Sequence, residues 1–266
     1  MNTRKFMCAF IYFFRHDSMK TLYINNPFTD IYFNLAAEEY LLKNHVENIF
    51  MLWQNTPSVV LGKHQSVERE VNLNFVKEKN IRVARRYSGG GAVYHDLGNL
   101  NLTFIENTNV LDFGRYARQV LQFLEFMGIE AQIDARLGIN IEHLKISGSA
   151  QCVYKARVMY HCTLLYGTNL DNLVLSLEGN MDESESALKY TVPSVKSPVT
   201  NIRLHLQTPL NIQDFKGHLF EFFYNSCPHG QIYDLDVAEV ARIERLKNMK
   251  YATSQWIFEK AFLESL

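Results

Sequence analysis

Three stretches of this chain combine residue types and spacings suited to chemistry on an anion. The first is RRYSGGGAVYHD, residues 85–96. Glycine lacks a Cβ, so Gly89, Gly90 and Gly91 can adopt positive φ and bring successive backbone N–H donors close to a ligand. Arg85 and Arg86 enter this loop and would add permanent charge in a planar fork that fits phosphate or carboxylate. A flexible hairpin with solvated arginines has a similar composition. The glycines, however, interrupt two strand-like segments instead of filling a linker, and a glycine run inside such a pattern marks a close backbone approach. The second stretch is LKISGSAQ, residues 144–151, where Lys145 precedes the small residues Ser147, Gly148, Ser149 and Ala150. A lysine there could neutralise two anionic groups at once, although most lysines are simply solvated. In the third, MYHCTLL, His161 sits inside an apolar strand, where a satisfied core histidine is the ordinary reading.

Bulk properties restrict what these stretches can serve. With 266 residues, 47% hydrophobic and 21% charged, the chain can form one sizeable domain or two small ones. A formal net charge of -1 gives no overall drive toward nucleic acid or a membrane surface, so any anion site must be built locally. Cys8, Cys152, Cys162 and Cys227 show no CxxC pairing and are too few for a disulfide framework, which points to a reducing compartment, the cytoplasm by default. The histidines show no zinc-ligand spacing, and no structural metal is expected. RKFMCAFIYFFRH near the start is like a signal peptide, but its apolar part is short and Arg15 and His16 occupy the place of a small-residue cleavage site. It is also too short to span a bilayer. Residues 1–18 therefore read as an N-terminal extension or, alternatively, a first strand, and residues 19–266, from Met19, as one domain.

The elements that must position the three stretches follow from periodicity and capping. TLYI reads as a strand, followed by a helix IYFNLAAEEYLLKN capped by Thr29 or Asp30. IFMLWQ and SVVLG, separated by Asn55, Thr56 and Pro57, read as a hairpin-like pair. A helix around LNFVKEKN and a strand IRVARR lead into the glycines, and LNLTFIE alternates as a strand beyond them. In FGRYARQVLQFLEFMG, Tyr116, Val120, Phe123 and Met127 share a helical face that Gly128 ends. Short strands and turns are expected from Ile129 to Gly167, and the remainder is expected to be mainly helical, in IQDFKGHLFEFFYNS, VAEVARIERLKN and a segment around Trp256.

In this order, RRYSGGGAVYHDLGNLN, LKISGSAQ, YHCTLL and SVKSPVTNI resemble the segments of lipoate-protein ligase A and its relatives. That superfamily also holds octanoyl and lipoyl transferases and is distantly similar to biotin-protein ligases. The resemblance runs from about Met19 to the region of Trp256. It implies an α+β fold of mixed β-sheets packed with helices, a biotin-protein-ligase-like, class II synthetase-like catalytic domain. It implies an ATP-dependent lipoate-protein ligase that activates lipoate as lipoyl-AMP with ATP and Mg2+. The acyl group then passes to a lysine of a lipoyl domain, in the E2 subunit of a 2-oxoacid dehydrogenase or in the glycine-cleavage H protein. By the same resemblance Lys145 is catalytic, bridging the carboxylate and the α-phosphate, and Arg86, Gly91, Ala92, Val93, Tyr94 and Lys145 bind ATP. Arg86, Ser88, Gly89, Gly90, Gly91, His95, Asn99, Lys145, Gly148 and His161 would hold lipoate or its adenylate.

The chain departs from the family pattern in three respects. An Asn-Asp pair is usual upstream of the motif lysine; here Asp134 follows Ile133, so a metal or phosphate-side role for Asp134 stands beside that of a strand-end carboxylate. The acyl-carrying cysteine of the transferases is absent from its two usual places, Val158 and residues 129–144. Cys152 and Cys162 are expected to flank a hairpin, close to each other and to His161, as reduced buried thiols or as an unorthodox thioester nucleophile. The small accessory domain of full-length ligases is not found after Trp256, which leaves a separate accessory protein, a one-domain enzyme or transfer alone. An ATP-independent octanoyl or lipoyl transferase and a non-catalytic lipoate- or nucleotide-binding module are therefore the alternatives.

Overall fold

The structure, a computed structural model, describes residues 20–108, 110–179 and 193–259; the expected extension over residues 1–18 lies outside them. Strands β1 (Thr21–Asn25), β2 (Asn48–Trp53), β6 (Asn99–Asn107), β10 (Ser149–Tyr154), β11 (Arg157–Leu165) and β12 (Gly230–Ile232) form one mixed sheet in the order β10-β11-β6-β2-β1-β12. Its β12-β1-β2 edge is parallel, and the β2-β6-β11-β10 part is antiparallel. β3 (Ser58–Leu61), β4 (Arg82–Arg85) and β5 (Val93–His95) form a second sheet with β3 in the centre. β7 (Gln132–Ile133), β8 (Ile139–Ile141) and β9 (Leu144–Ser147) form a third. The mixed α+β architecture is the one expected.

Alternation along the large sheet divides its side chains between two cores. Tyr23, Phe50, Leu102, Phe104 and Tyr160 pack against helices α4 (Gly114–Phe126) and α6 (Ile212–Asn225) on one face. Leu22, Met51, Ile105 and Met159 pack on the other against α1 (Ile31–Asn44), α7 (Val237–Leu246) and α8 (Ser254–Phe258). A period of two sends successive residues to opposite faces, so both faces are buried only if helices cover each. The expected face of α4 holds: Tyr116, Val120 and Phe123 are buried, and Met127 packs at the edge. Asp30, not Thr29, caps α1 by accepting from the Tyr32 amide. Helices α2 (Val67–Glu70), α3 (Leu73–Glu78) and α5 (Leu170–Ser176) cover the smaller β3–β5 sheet.

One expectation changes. β2 and β3 do not pair: both edges of β2 are taken by β1 and β6, and both edges of β3 by β4 and β5. The link is pulled apart by its own polar groups, with the Thr56 amide donating to the Thr29 carbonyl and Asn55 bonding to Asn34 and His95. The C-terminal part is mainly helical, as expected, and Gly230–Ile232 adds a short parallel edge strand to β1.

Arg85 serves the fold and not the loop. Its side chain is 1% exposed and donates to the carbonyls of Gly62, Lys63, Gln65, Trp256 and Ile257, while the Trp256 indole N–H returns a bond to the Arg85 carbonyl at 2.8 Å. This staple fastens α8 to the β3–β4 edge. Arg85→Met would remove the donor that these carbonyls share, and it is expected to lower the unfolding free energy by about 3 kcal/mol in a urea titration.

Candidate functional site

The loop from Ser88 to Ala92 is folded around the second arginine. Arg86, buried, donates through Nε to Ser88 Oγ (3.0 Å) and the Gly89 carbonyl (3.1 Å). Its Nη1 bonds the Val60 carbonyl at 3.1 Å, and Nη2 bonds those of Gly89 (2.5 Å) and Gly91 (2.8 Å). Burial depresses its pKa to about 10, which still leaves it cationic at neutral pH. A trans peptide points its C=O and N–H in opposite directions. With the Gly89 and Gly91 carbonyls turned toward Arg86, the amides of Gly90 and Ala92 turn away from it. That of Ala92 donates to Ser194 Oγ at 2.8 Å, whereas those of Gly89, Gly90 and Gly91 bond no described residue. Gly90 has φ +88°, and a Cβ on Gly62 would lie 2.0 Å from the Gly90 carbonyl oxygen. The path of the loop therefore requires glycine at both places.

Two histidines stand behind the loop in opposite hydrogen-bonding arrangements. On β11, His161 Nδ1 lies 2.8 Å from Glu38 Oε1 and its Nε2 2.8 Å from Ser88 Oγ. The Thr103 hydroxyl also donates to Glu38 Oε1 (2.6 Å) and accepts from the Trp53 indole at 2.9 Å. On β5, His95 meets Asn55 through Nδ1 at 2.8 Å, and its Nε2 has no partner among the described residues. Burial, reinforced by Arg86 and His161, pushes the His95 pKa down to about 3, so this ring is neutral.

Lys145, on β9, is half-buried, and its ammonium makes no hydrogen bond or ion pair with a described residue. Its main chain bonds to the carbonyl of Pro198 and the amide of Thr200, which straps the segment around residues 193–200 beside β9. Burial lowers its pKa, and the nearby Asp134 carboxylate partly offsets that. Asp134 itself closes the β7–β8 turn by accepting from the amides of Arg136 (2.8 Å) and Gly138 (2.9 Å). A Cβ on Gly138 would sit 2.7 Å from Asp134 Oδ2 and 3.0 Å from Lys145 Cε, so the bare Gly138 is what admits both side chains. Burial works to raise the Asp134 pKa, yet those turn bonds and Lys145 hold it below the usual range.

Two adjoining chambers meet at this lysine. One, of about 320 Å3, is walled by Leu35, Trp53, Val60 and Val93 and carries Arg86, His95, Lys145 and His161. The other, of about 570 Å3, is lined by Tyr94, Ser147, Leu173, Lys196 and the shared Ala92, Val93 and Lys145. The structure thus brings together Arg86, Gly90, Gly91, Ala92, Val93, His95, Lys145, Gly148 and His161 in the first chamber. Tyr94 is in the second. Ser88, Gly89 and Asn99 line neither; Ser88 stands behind His161, and Asn99 donates to Asn101, which does reach the first chamber. Reading by sequence missed Trp53, Glu38 and Ser194. The signal for Glu38 was a pair of adjacent glutamates within the apolar helix NLAAEEYLL, where solvation cannot explain both.

Comparison with known proteins places this geometry. Residues 30–224 match the family model described as lipoyl protein ligase A/B catalytic domain. Lipoate--protein ligase 1 of Staphylococcus aureus is 37% identical over 237 residues, 87% of this chain and 71% of that protein. A bi-partite lipoate protein ligase of Thermoplasma acidophilum, solved in a study of an archaeal lipoylation system with its E2 lipoyl domain, superposes with a TM-score of 0.74 at 26% identity over 92% of this chain and 97% of that one. A lipoate-protein ligase A bound with ATP shares the fold, with a TM-score of 0.74 at 24% identity over 91% of this chain and 99% of that one.

The cysteines correct a further expectation. Cys152 pairs with Met159 and Cys162 with Ser149 across the β10–β11 ladder, so the two thiols fall on opposite faces, Cys152 against the α1 side and Cys162 in the α4–α6 core. They are not a pair. Burial pushes both thiols up to about 12, and the nucleophilic thiolate is then scarce at neutral pH. At pH 8 a rise of about three units leaves roughly a thousandfold less thiolate than an unperturbed cysteine has. Timed alkylation with iodoacetamide, read by mass spectrometry, is expected to modify Cys152 and Cys162 far more slowly in the folded protein than in urea. Fast native labelling of either would revive a thioester route.

Proposed function

Because the chain belongs to the lipoyl protein ligase A/B catalytic-domain family, we propose that it activates lipoate with ATP and passes the lipoyl group to a lysine of a lipoyl domain. The observation that carries this reading is the position of Lys145, on the boundary of both chambers and with no ion-pair partner among the described residues. The smaller chamber, with Leu35, Trp53, Val60 and Val93 as walls, takes the dithiolane and alkyl chain; the larger takes the nucleotide. Their junction is where a carboxylate and an α-phosphate must meet.

The carboxylate oxygen attacks the α-phosphorus, the bond to the bridging oxygen breaks, and pyrophosphate leaves with its electron pair. Two anions repel at that point, and a cation fixed between them stabilises the charge as it shifts. Lys145 supplies that cation, while the outward Gly90 amide faces the acyl phosphate and Arg86, beneath the loop, holds that amide in place and adds its positive charge. In the second step an uncharged lysyl amine attacks the acyl carbon, AMP departs, and the amide nitrogen loses a proton. Magnesium fits as an ion carried by the triphosphate. Among the described residues no three His, Cys, Asp or Glu side chains converge as a metal cage, and Asp134 beside Lys145 is the carboxylate that would meet it. The acceptor is an E2 lipoyl domain, as for the archaeal neighbour, whose structure was studied with its own. The glycine-cleavage H protein carries the same kind of lysine, and a separate accessory protein is a further expected partner. No helix among the described residues is long and apolar enough to cross a membrane, and the free Cys152, Cys162 and Cys227 suit the reducing cytoplasm.

Incubation of the chain with lipoate, Mg-ATP and labelled pyrophosphate is expected to move label into ATP only when lipoate is present. Lys145→Met should slow this exchange by about 10^2 to 10^3 and leave the melting temperature near that of the parent. A folded protein that exchanges no label would overturn the adenylation reading.

A further inference from the structure

His95, whose Nε2 has no partner among the described residues, ends through its Nδ1 a chain of side-chain amides whose orientation is forced. The Phe28 backbone N–H can only donate, and it meets Asn26 Oδ1 at 3.2 Å. Asn26 therefore turns its Nδ2 to Asn34 Oδ1, 2.8 Å away. Asn34 Nδ2 in turn faces three acceptors, the carbonyls of Phe28 and Gln54 at 3.0 Å each and Asn55 Oδ1 at 2.8 Å. Asn55 is then left with Nδ2 against His95 Nδ1, at 2.8 Å. A donor facing Nδ1 needs a lone pair there, so a neutral ring must carry its proton on Nε2. Asn26, Asn34 and Asn55 are all at most 1% exposed, so water cannot substitute for any link.

We propose that Asn26, Asn34 and Asn55 are positioning residues that lock His95 as its Nε2–H tautomer, so that the smaller chamber offers a fixed, uncharged donor to the carboxyl oxygen of the bound acid. This rests on reading that chamber as the acyl site. The His95 ring lines it, is 3% exposed, and its Nε2 is a buried polar atom without a partner among the described residues. An unmade bond of this kind is a standing cost that a bound acceptor relieves. The opposite tautomer would set a lone pair against an oxygen lone pair and repel it. Nε2 already carries a proton, so His95 is a donor and not a base toward the substrate. The charged or titratable groups that line this chamber with it are Arg86, Arg136, Lys145, His161 and Cys162, with His161 bonded to Glu38, and the Trp53 ring meets His95 edge-on at 5.9 Å between centroids. None of them competes with Asn55 for Nδ1.

The test uses the full chain labelled with 15N and long-range 1H–15N correlation of its imidazoles. Without ligand, His95 is expected to show a protonated Nε2 and an unprotonated Nδ1 from pH 6 to 8, and lipoate should shift the Nε2–H resonance. Asn55→Asp keeps the acceptor for Asn34 but gives His95 Nδ1 an acceptor, which draws the proton to Nδ1. Its lipoate Kd should rise about tenfold at pH 8, the worth of one such bond. That loss should shrink toward pH 6, because an Asp partner raises the His95 pKa and the doubly protonated ring regains Nε2–H. His95→Leu should lose a similar factor, and His95→Gln, which keeps an N–H donor, should recover most of it. A protonated Nδ1 in the free wild type, or lipoate binding that leaves the His95 resonances unmoved, would overturn the inference. Failure of the wild type to bind lipoate at all would instead overturn the acyl-site reading and with it the role given to His95, while the free-protein tautomer would still report on the amide chain.

Discussion

A guanidinium buried beneath a run of glycines governs this architecture. Arg86 is held by the carbonyls of Val60, Gly89 and Gly91 and by the Ser88 hydroxyl. A buried cation without such compensation would be prohibitively costly. Satisfying it fixes the peptide planes of the loop, and each carbonyl drawn inward turns the following amide outward. A second requirement follows from the same packing: Gly62 must be bare where the Gly90 carbonyl crosses it, and Gly90 must hold a positive φ. The loop is therefore a rigid surface of N–H groups pinned from below.

That surface is useful because other elements close around it. β9 carries Lys145 to the opposite wall, and the strap near residues 193–200 pairs with it and sends Ser194 across to the Ala92 amide. Ser194 is itself gripped by Gln65 and by the Glu70 carboxylate, which ties the strap to the β3 side. The chambers thus have walls from all three sheets, with a lysine free of ion pairs among the described residues where they meet.

Charge inside the smaller chamber is divided with similar economy. His95 is kept neutral by burial and by the cation of Arg86, while His161 is tied to Glu38, a carboxylate buried in α1. The neighbouring Glu39 turns the other way, to Lys43, Lys250 and Tyr251. Two adjacent acids on one helix therefore serve different ends, one orienting a chamber histidine and one anchoring the segment that leads to α8. The Arg85 staple completes that anchorage.

The glycine motif, Lys145 and the family they indicate were legible in the sequence, because a loop that lays bare backbone and a charge that must face it are written in residue types and short spacings; His161, by its residue pattern an ordinary core histidine, was singled out only by the family resemblance. So were α1 and α4, whose periodicity and caps are local. The roles of paired neighbours were not legible. Arg85 and Arg86 are adjacent and identical, and only tertiary structure sends one to α8 and the other under the glycines. The separation of β2 from β3 was equally hidden, since which strand edge is vacant depends on β1, β4, β5 and β6 together. The same holds for the facing of Cys152 and Cys162 and for the amide chain behind His95. Register and partner choice are set by long-range contacts, and a one-residue difference along a strand moves a side chain from one core to the other.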